Sequence, residues 1–381
     1  MRSDIQFLLG LALFSILCLV QTKSIIEPCS SSDSCFSLLS FVVPWDSKLS
    51  EISSRFQVNV SDILAANSVW PISQKLSDQI IRSKSVVKIP MPCPCVDGIR
   101  RSMSTIYTVL ALDTLETISE GFGGLVSANQ IETVNSINAT NRLTNGGRLV
   151  IPLPCSCLNN LRNGETTVYM SYVVREGESL RSIASGSKTT VSDLEAVNGL
   201  SHNSVEPGDI LAVPIAACSS AALNWYNESL IVPSGSYTLT ASNCIKCSCS
   251  PIDLRLHCYP STLPVPCFNL QCKDSNLVIG DQHVTYFNPG CNVTQCVYRG
   301  HIGGKILRSV SKSSYLKCPE NETYNAAPTP WPSINFNPSV MPLGELSPYT
   351  SPSPVSDASM MMHTTQVSIN LLLLFIWICF L

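Results

Sequence analysis

One hydrophobic pattern returns three times along the chain. Each copy begins with an aromatic residue and β-branched neighbours: Phe41-Val42-Val43, Tyr107-Thr108-Val109 and Tyr172-Val173-Val174. A leucine follows (Leu49, Leu115, Leu180), then an isoleucine three residues on (Ile52, Ile118, Ile183). That spacing puts both side chains on one face of a helix. A second helical piece comes next, Ser61–Asn67 and Ser192–Asn198, with Ser127–Asn135 as the middle variant. Serine is the expected N-cap and asparagine the expected stop. Each copy closes on an apolar, β-branched run before Pro90, Pro152 or Pro214, and the proline is expected to end that strand. The pattern predicts strand, helix, helix, strand. A unit of about 50 residues has a thin core and needs outside support.

The ends carry apolar runs of another kind. Ile5–Val20 follows Arg2 and precedes polar residues and small ones, which reads as a secretory signal over residues 1–24. A membrane helix is the alternative, but the run is short. Near the other end, small residues from Ser356 to Ser359 precede a polar spacer and the apolar Leu371–Leu381. This is the pattern of a GPI-attachment signal, with Ser356 as the modified residue and Asp357 next in line. Residues 357–381 are then removed, and the lipid holds the protein on the outer face of the cell membrane.

Secretion changes how the cysteines read. The chain has 18, and removal of Cys18 and Cys379 with the two signals leaves sixteen. An even number in an oxidising compartment implies disulfides and no metal, even for the close set Cys244, Cys247 and Cys249. Five glycosylation sequons start at Asn59, Asn138, Asn227, Asn292 and Asn321. After Cys218 the repeats stop and a cysteine-rich stretch runs to Cys318. From Pro319 on, Pro, Ser, Thr and Asn dominate, a composition that reads as an extended stalk.

The net charge is −3 and charged residues make up only 13% of the chain, which argues against nucleic acid as a partner. No nucleophile with a base, no paired carboxylates and no metal-ligand spacing stand out, so the chain reads as a binding protein with no catalytic residues and no cofactor. His202, His257, His283 and His301 read as surface or turn residues.

The β-α-α-β unit, with Gly177-Glu178-Ser179-Leu180, Val197-Asn198 and Gly208–Pro214, resembles a LysM domain. Three in tandem, joined through Cys93-Pro94-Cys95 and Cys155-Ser156-Cys157, resemble the ectodomains of plant LysM receptors. With both terminal signals, the whole chain resembles the plant LysM GPI-anchored proteins. Glu27–Cys35, Cys95–Arg100, Gly123–Ala128 and Cys291–Cys296 look most like the peptidoglycan-sensing branch, with the chitin elicitor-binding branch as the alternative.

The resemblance implies an α+β fold. Three disulfide-linked modules span 40–93, 104–154 and 170–217, behind an N-terminal cysteine segment at 25–39. A small disulfide-rich module at 218–318 and a disordered Pro-rich stalk at 319–356 follow. It implies the pairs Cys29–Cys95, Cys35–Cys157 and Cys93–Cys155, which spacing alone would not select.

It also implies a shallow groove for N-acetylglucosamine-containing glycans, between the loops after the first strand and the second helix. The residues placed there are Leu112, Asp113, Thr114, Ser136 and Ile137 in the second module. In the third they are Glu176, Gly177, Glu178 and Leu200. The implied ligands are peptidoglycan or chitin fragments. The implied partners are a transmembrane LysM receptor-like kinase, and oligomers with itself or related LysM proteins. A wall-targeted glycan hydrolase is the reading from another class.

Overall fold

In a computed structural model, the described residues are 27–30, 33–70, 77–138, 142–158, 161–162, 164–200 and 205–318. The signal segment, the stalk, Asn321, Ser356 and residues 357–381 lie outside them. Among the described residues no helix is long and apolar enough to cross a membrane.

The first repeat folds as β1 (Ser34–Val42), α1 (Leu49–Phe56), α2 (Val60–Ala66) and β2 (Val86–Val96). The second gives β3 (Met103–Thr108), α3 (Leu115–Gly121), α4 (Ala128–Val134) and β4 (Arg148–Leu153). The third gives β5 (Glu165–Val173), α5 (Leu180–Ser187), α6 (Val191–Asn198) and β6 (Ile210–Ser219). The Leu/Ile pairs do what their spacing predicts: Leu49, Ile52, Ile118, Leu180 and Ile183 are buried, and Leu115 packs against the core.

Two local expectations need correction. The N-caps of α2 and α6 are Asn59 and Thr190, two residues before Ser61 and Ser192; Ser127 does cap α4. A β-branched residue follows the cap in both cases and already lies in the helix. Nor do the prolines end their strands: β2, β4 and β6 run through Pro90, Pro152 and Pro214.

The reason is a side-chain clamp. The Asn67 amide donates to the Ile63 carbonyl (2.7 Å) and the Lys88 carbonyl (2.8 Å), while its oxygen accepts from the Lys88 N–H (3.0 Å). Asn135 makes the same three bonds to Ile131 and Val150, and Asn198 to Leu194 and Ala212. Each asparagine ends a helix and stands in for a neighbouring strand. Its strand partner lies two residues before the proline. The period of two then points the proline nitrogen out of the same edge, where no ladder bond is lost.

The modules are not three separate sheets. β1 pairs antiparallel with β2 and parallel with β5, through Leu38–Met170, Leu39–Ser171 and Ser40–Tyr172. The first and third modules therefore share a 7-stranded sheet that continues through β6 to Ile231–Pro233. β3 and β4 form their own two-stranded sheet, but one apolar core joins them to the first module. Phe41, Phe56 and Phe122 meet edge to face in that core, with ring centroids 4.9 and 5.5 Å apart.

Two disulfides tie the linkers to the N-terminal segment, Cys29–Cys95 and Cys35–Cys157, and a third, Cys93–Cys155, ties the linkers to each other. The Cys35, Cys93 and Cys157 sulfurs lie within 4.8 Å of one another, all bonded. A buried carboxylate completes the knot. Glu27 accepts from the N–H groups of Cys157 (2.6 Å) and Leu158 (2.7 Å) and lies 3.9 Å from the Arg101 guanidinium.

The tail after β6 holds two three-stranded sheets, over Tyr237–Pro260 and Gln282–Tyr315. Its pairs are Cys218–Cys249, Cys244–Cys267, Cys247–Cys258, Cys272–Cys296 and Cys291–Cys318. Buried Glu228 links three segments of it, accepting from the Tyr298 hydroxyl (2.7 Å) and from Thr240, with His301 Nδ1 3.7 Å away.

Candidate functional site

The loops expected to form the groove are built alike in all three modules. One residue after the first strand pairs with the turn that leads into the last strand. The Val109 N–H donates to the Gly147 carbonyl (2.9 Å), and the Gly146 N–H returns to the Val109 carbonyl (2.8 Å). Val174 does the same with Gly208 and Asp209, and Val43 with Lys84 and Ser85. This ties the first loop of each module to the turn before its last strand.

Within the second module's first loop, Asp113 is a brace. Its carboxylate accepts from the Leu110 N–H (2.7 Å) and the Tyr107 hydroxyl (2.9 Å). Burial and the Asp113 bond together push the Tyr107 hydroxyl up to about 12. Glu178 is the counterpart in the third module. It accepts from the Tyr172 hydroxyl (2.7 Å), from the Arg175 N–H (3.0 Å) and from the Arg175 guanidinium. Burial alone would raise Glu178, but the Arg175 and Tyr172 bonds outweigh it and hold the carboxylate below its usual range. Thr114 caps α3 in a reciprocal pair with Thr117.

The second loop starts from a helix-terminating turn. Ser68, Ser136 and Gly199 take the left-handed conformation, with φ of 60, 51 and 58°. The next N–H, on Val69, Ile137 or Leu200, reaches back five residues to close the helix end. Ile137 and Leu200 then pack half-buried against the cores.

Most expected site residues thus shape the turns. Leu112 and Glu176 stand apart as exposed side chains. Leu112 has φ 74°, as Gly177 does at the matching position with φ 79°, yet it is a leucine and 98% exposed. Leu110 beside it is 60% exposed. An L-residue in this conformation costs about 1 kcal/mol, and here no burial offsets it.

The three second loops meet different neighbours. In the first module the loop docks on the tail: the Tyr237 hydroxyl donates to the Val69 carbonyl (2.6 Å), and Ser68 donates to the Gly235 carbonyl. Trp70 lies against Tyr237 at 5.3 Å, with the Lys246 ammonium 4.5 and 4.7 Å from the two rings. In the second module the loop leads to exposed Asn138, a sequon; residues 139–141 lie outside the described residues. In the third, Leu200 is followed by 201–204, also outside them. Asn59, Asn227 and Asn292 are exposed as well.

Sequence reasoning missed the Trp70 dock and took the three asparagines only as helix stops. The clamp has a trace in the sequence: the same interval separates N-cap from asparagine in every copy.

The LysM domain profile matches residues 47–90, 107–152 and 172–214. Over 299 residues the chain is 45% identical to LysM domain-containing GPI-anchored protein 1 of Arabidopsis thaliana, across 78% of this chain and 72% of that one. It is 38% identical over 341 residues to LysM domain-containing GPI-anchored protein LYP6 of Oryza sativa subsp. japonica, across 88% and 81%. It is 30% identical over 284 residues to the Chitin elicitor-binding protein of the same rice, across 73% and 77%.

Proposed function

The chain belongs to the LysM domain-containing GPI-anchored proteins, and from that premise we propose that it is a pattern-recognition receptor for microbial glycans built on N-acetylglucosamine. Its preferred ligand is bacterial peptidoglycan, with chitin fragments second. It acts in plant innate immunity beside a transmembrane LysM receptor kinase, because a lipid anchor carries no signal inward by itself.

The observation that carries the reading is Leu112. A strained, fully exposed leucine beside exposed Leu110 offers an apolar surface to the N-acetyl methyl and the sugar face. The N–H and C=O groups of the adjoining turns supply polar contacts without formal charge. The second module is therefore the favoured glycan site. The first module's second loop is already taken by the tail. One groove binds weakly, and a polymer with many equivalent sites gathers receptors through effective concentration.

The test is retention of the secreted chain, residues 25–356, on insoluble peptidoglycan and chitin side by side. Retention mainly on chitin overturns the peptidoglycan preference. Retention on neither overturns glycan binding, and release of soluble sugar shows a hydrolase. Crosslinking on intact membranes tests the kinase: the same receptor species with and without glycan counts against it.

A further inference from the structure

A cavity of about 450 Å³ lies between the first module and the tail. Sites for small ligands span about 300–1,000 Å³, so it is large enough to hold one. One side is a stripe of α2, Asp62, Ala65 and Ala66, at the i, i+3, i+4 spacing that puts side chains on one helix face. The rest includes Pro92 of β2 and Pro233 and Tyr237 of the tail. No lysine or arginine is among the lining residues. Ala65 and Ala66 are buried and Asp62 is exposed, so the cavity opens at the Asp62 end of the stripe.

Asn59 extends the same stripe, three residues before Asp62. It immediately precedes α2, yet its side chain makes no capping bond to the helix. Its amide Nδ2 donates instead to the Asp62 carboxylate (3.2 Å), which places that nitrogen at the cavity mouth. Asn59 is exposed and starts the sequon Asn59-Val60-Ser61. Asn138 and Asn292 bond to Ser136 and Ser314, which line no part of this cavity.

We propose that this cavity seats the chain's own N-linked glycan at Asn59, and that its first N-acetylglucosamine joins the first module to the tail. On attachment Nδ2 bonds to C1 of that sugar. The bond from C1 to the lipid pyrophosphate of the secretory donor breaks, and one amide proton leaves. The N–H that remains keeps the Asp62 bond. Alanine, proline and tyrosine surfaces cover the C–H face of the ring and the acetyl methyl, and the Asp62 carboxylate accepts from a sugar hydroxyl. A neutral ring needs no cation, and the lining supplies none. The sugar extends the dock in which the Tyr237 hydroxyl holds the Val69 carbonyl beyond the far end of α2. This N-acetylglucosamine is structural and stands apart from any ligand of the second module.

The test is hydrogen exchange with glycopeptide mass spectrometry on the full chain, made in plant cells and released by a GPI-specific phospholipase. Ser61 is exposed and does not cap α2, so Ser61→Ala removes the glycan and leaves the helix intact. Amides in 62–66 and 231–238 are then expected to exchange about tenfold faster, and the Tm to fall by about 2–4 °C. Ser61→Thr keeps the sequon and Asn292→Gln removes a different one, so both leave this region as in wild type. Enzymatic trimming to one N-acetylglucosamine keeps the protection, and complete removal loses it. Should Ser61→Ala not be secreted, trimmed and fully stripped wild type give the same comparison. Resistance of Asn59 alone to stripping supports the seat.

An unoccupied Asn59 in the mature protein overturns the proposal. So does wild-type exchange at 231–238 in Ser61→Ala. Loss of protection on trimming to one sugar overturns it as well, because the first sugar is the one assigned to the cavity.

Discussion

Replacing Leu112 with glycine separates stability from binding. At φ 74° the leucine backbone is strained by about 1 kcal/mol relative to glycine. Its side chain is 98% exposed, so truncation removes no core packing. Glycine gives back roughly 0.5–1 kcal/mol through the greater freedom of the unfolded chain. The balance lies between zero and about 0.5 kcal/mol in favour of Leu112→Gly, a Tm unchanged or raised by about 1–2 °C.

Binding moves the other way. Fully burying a leucine is worth about 1.5–3 kcal/mol, and a sugar face covers about half of one. The loss is then about 1 kcal/mol, or roughly fivefold in Kd. Differential scanning fluorimetry and calorimetry on one preparation read both effects. Gly177→Leu in the third module is the reciprocal: it destabilises by at most about 0.5 kcal/mol and adds an apolar contact to that groove. A Tm drop in Leu112→Gly, or unchanged affinity for every glycan that wild type binds, refutes the argument that the leucine is kept for a ligand.

Other substitutions probe the scaffold. A Cβ on Gly123 would sit 2.6 Å from the Val42 carbonyl oxygen at φ 66°, so Gly123→Ala should cost about 2–4 kcal/mol by chemical denaturation. Gly177→Ala, with nothing within 4 Å, should cost only about 1 kcal/mol. Asn198→Ala removes two bonds joining α6 to β6 and one within α6, and should destabilise by about 2–4 kcal/mol, with faster amide exchange at Ala212. Tyr107 is raised from 10.0 to about 12, so the neutral hydroxyl contributes stability that is fully present below pH 10. That contribution is lost as pH rises toward 12. Alkaline unfolding should show it, and Tyr107→Phe should remove that part of the pH dependence.

The repeats were readable because each level of the pattern agrees. The Leu/Ile helix faces and β-branched strands each specify a local structure that the module can use as it stands. Ser61 and Ser192 misled because side-chain preference for caps competes with the register of the helix behind them. Pro90, Pro152 and Pro214 misled because a proline ends a strand only if its nitrogen faces a partner. The edge clamped by asparagine is where it does not. Pairing of β1 with β5 depends on contacts far apart in sequence, and no local periodicity encodes those. Leu112 is the reverse case: its departure from glycine was visible in the sequence, but its strain needed a dihedral angle.

The position of β1 bears on how the protein is made. This strand leaves the ribosome first among the folded elements, yet it lies inside the sheet, between β2 and β5. Its partner Cys157 follows Cys35 by 122 residues. At a synthesis rate of roughly 5–20 residues per second, that partner appears about 6–25 s later. During that wait Cys35 is a free thiol in an oxidising lumen, with Cys29, Cys93 and Cys95 already within reach. Correct pairing therefore depends on the lumen's disulfide isomerases holding or reshuffling the early bonds until the third module arrives. Yield of the secreted protein should be limited by isomerase supply before it is limited by the stability of any module.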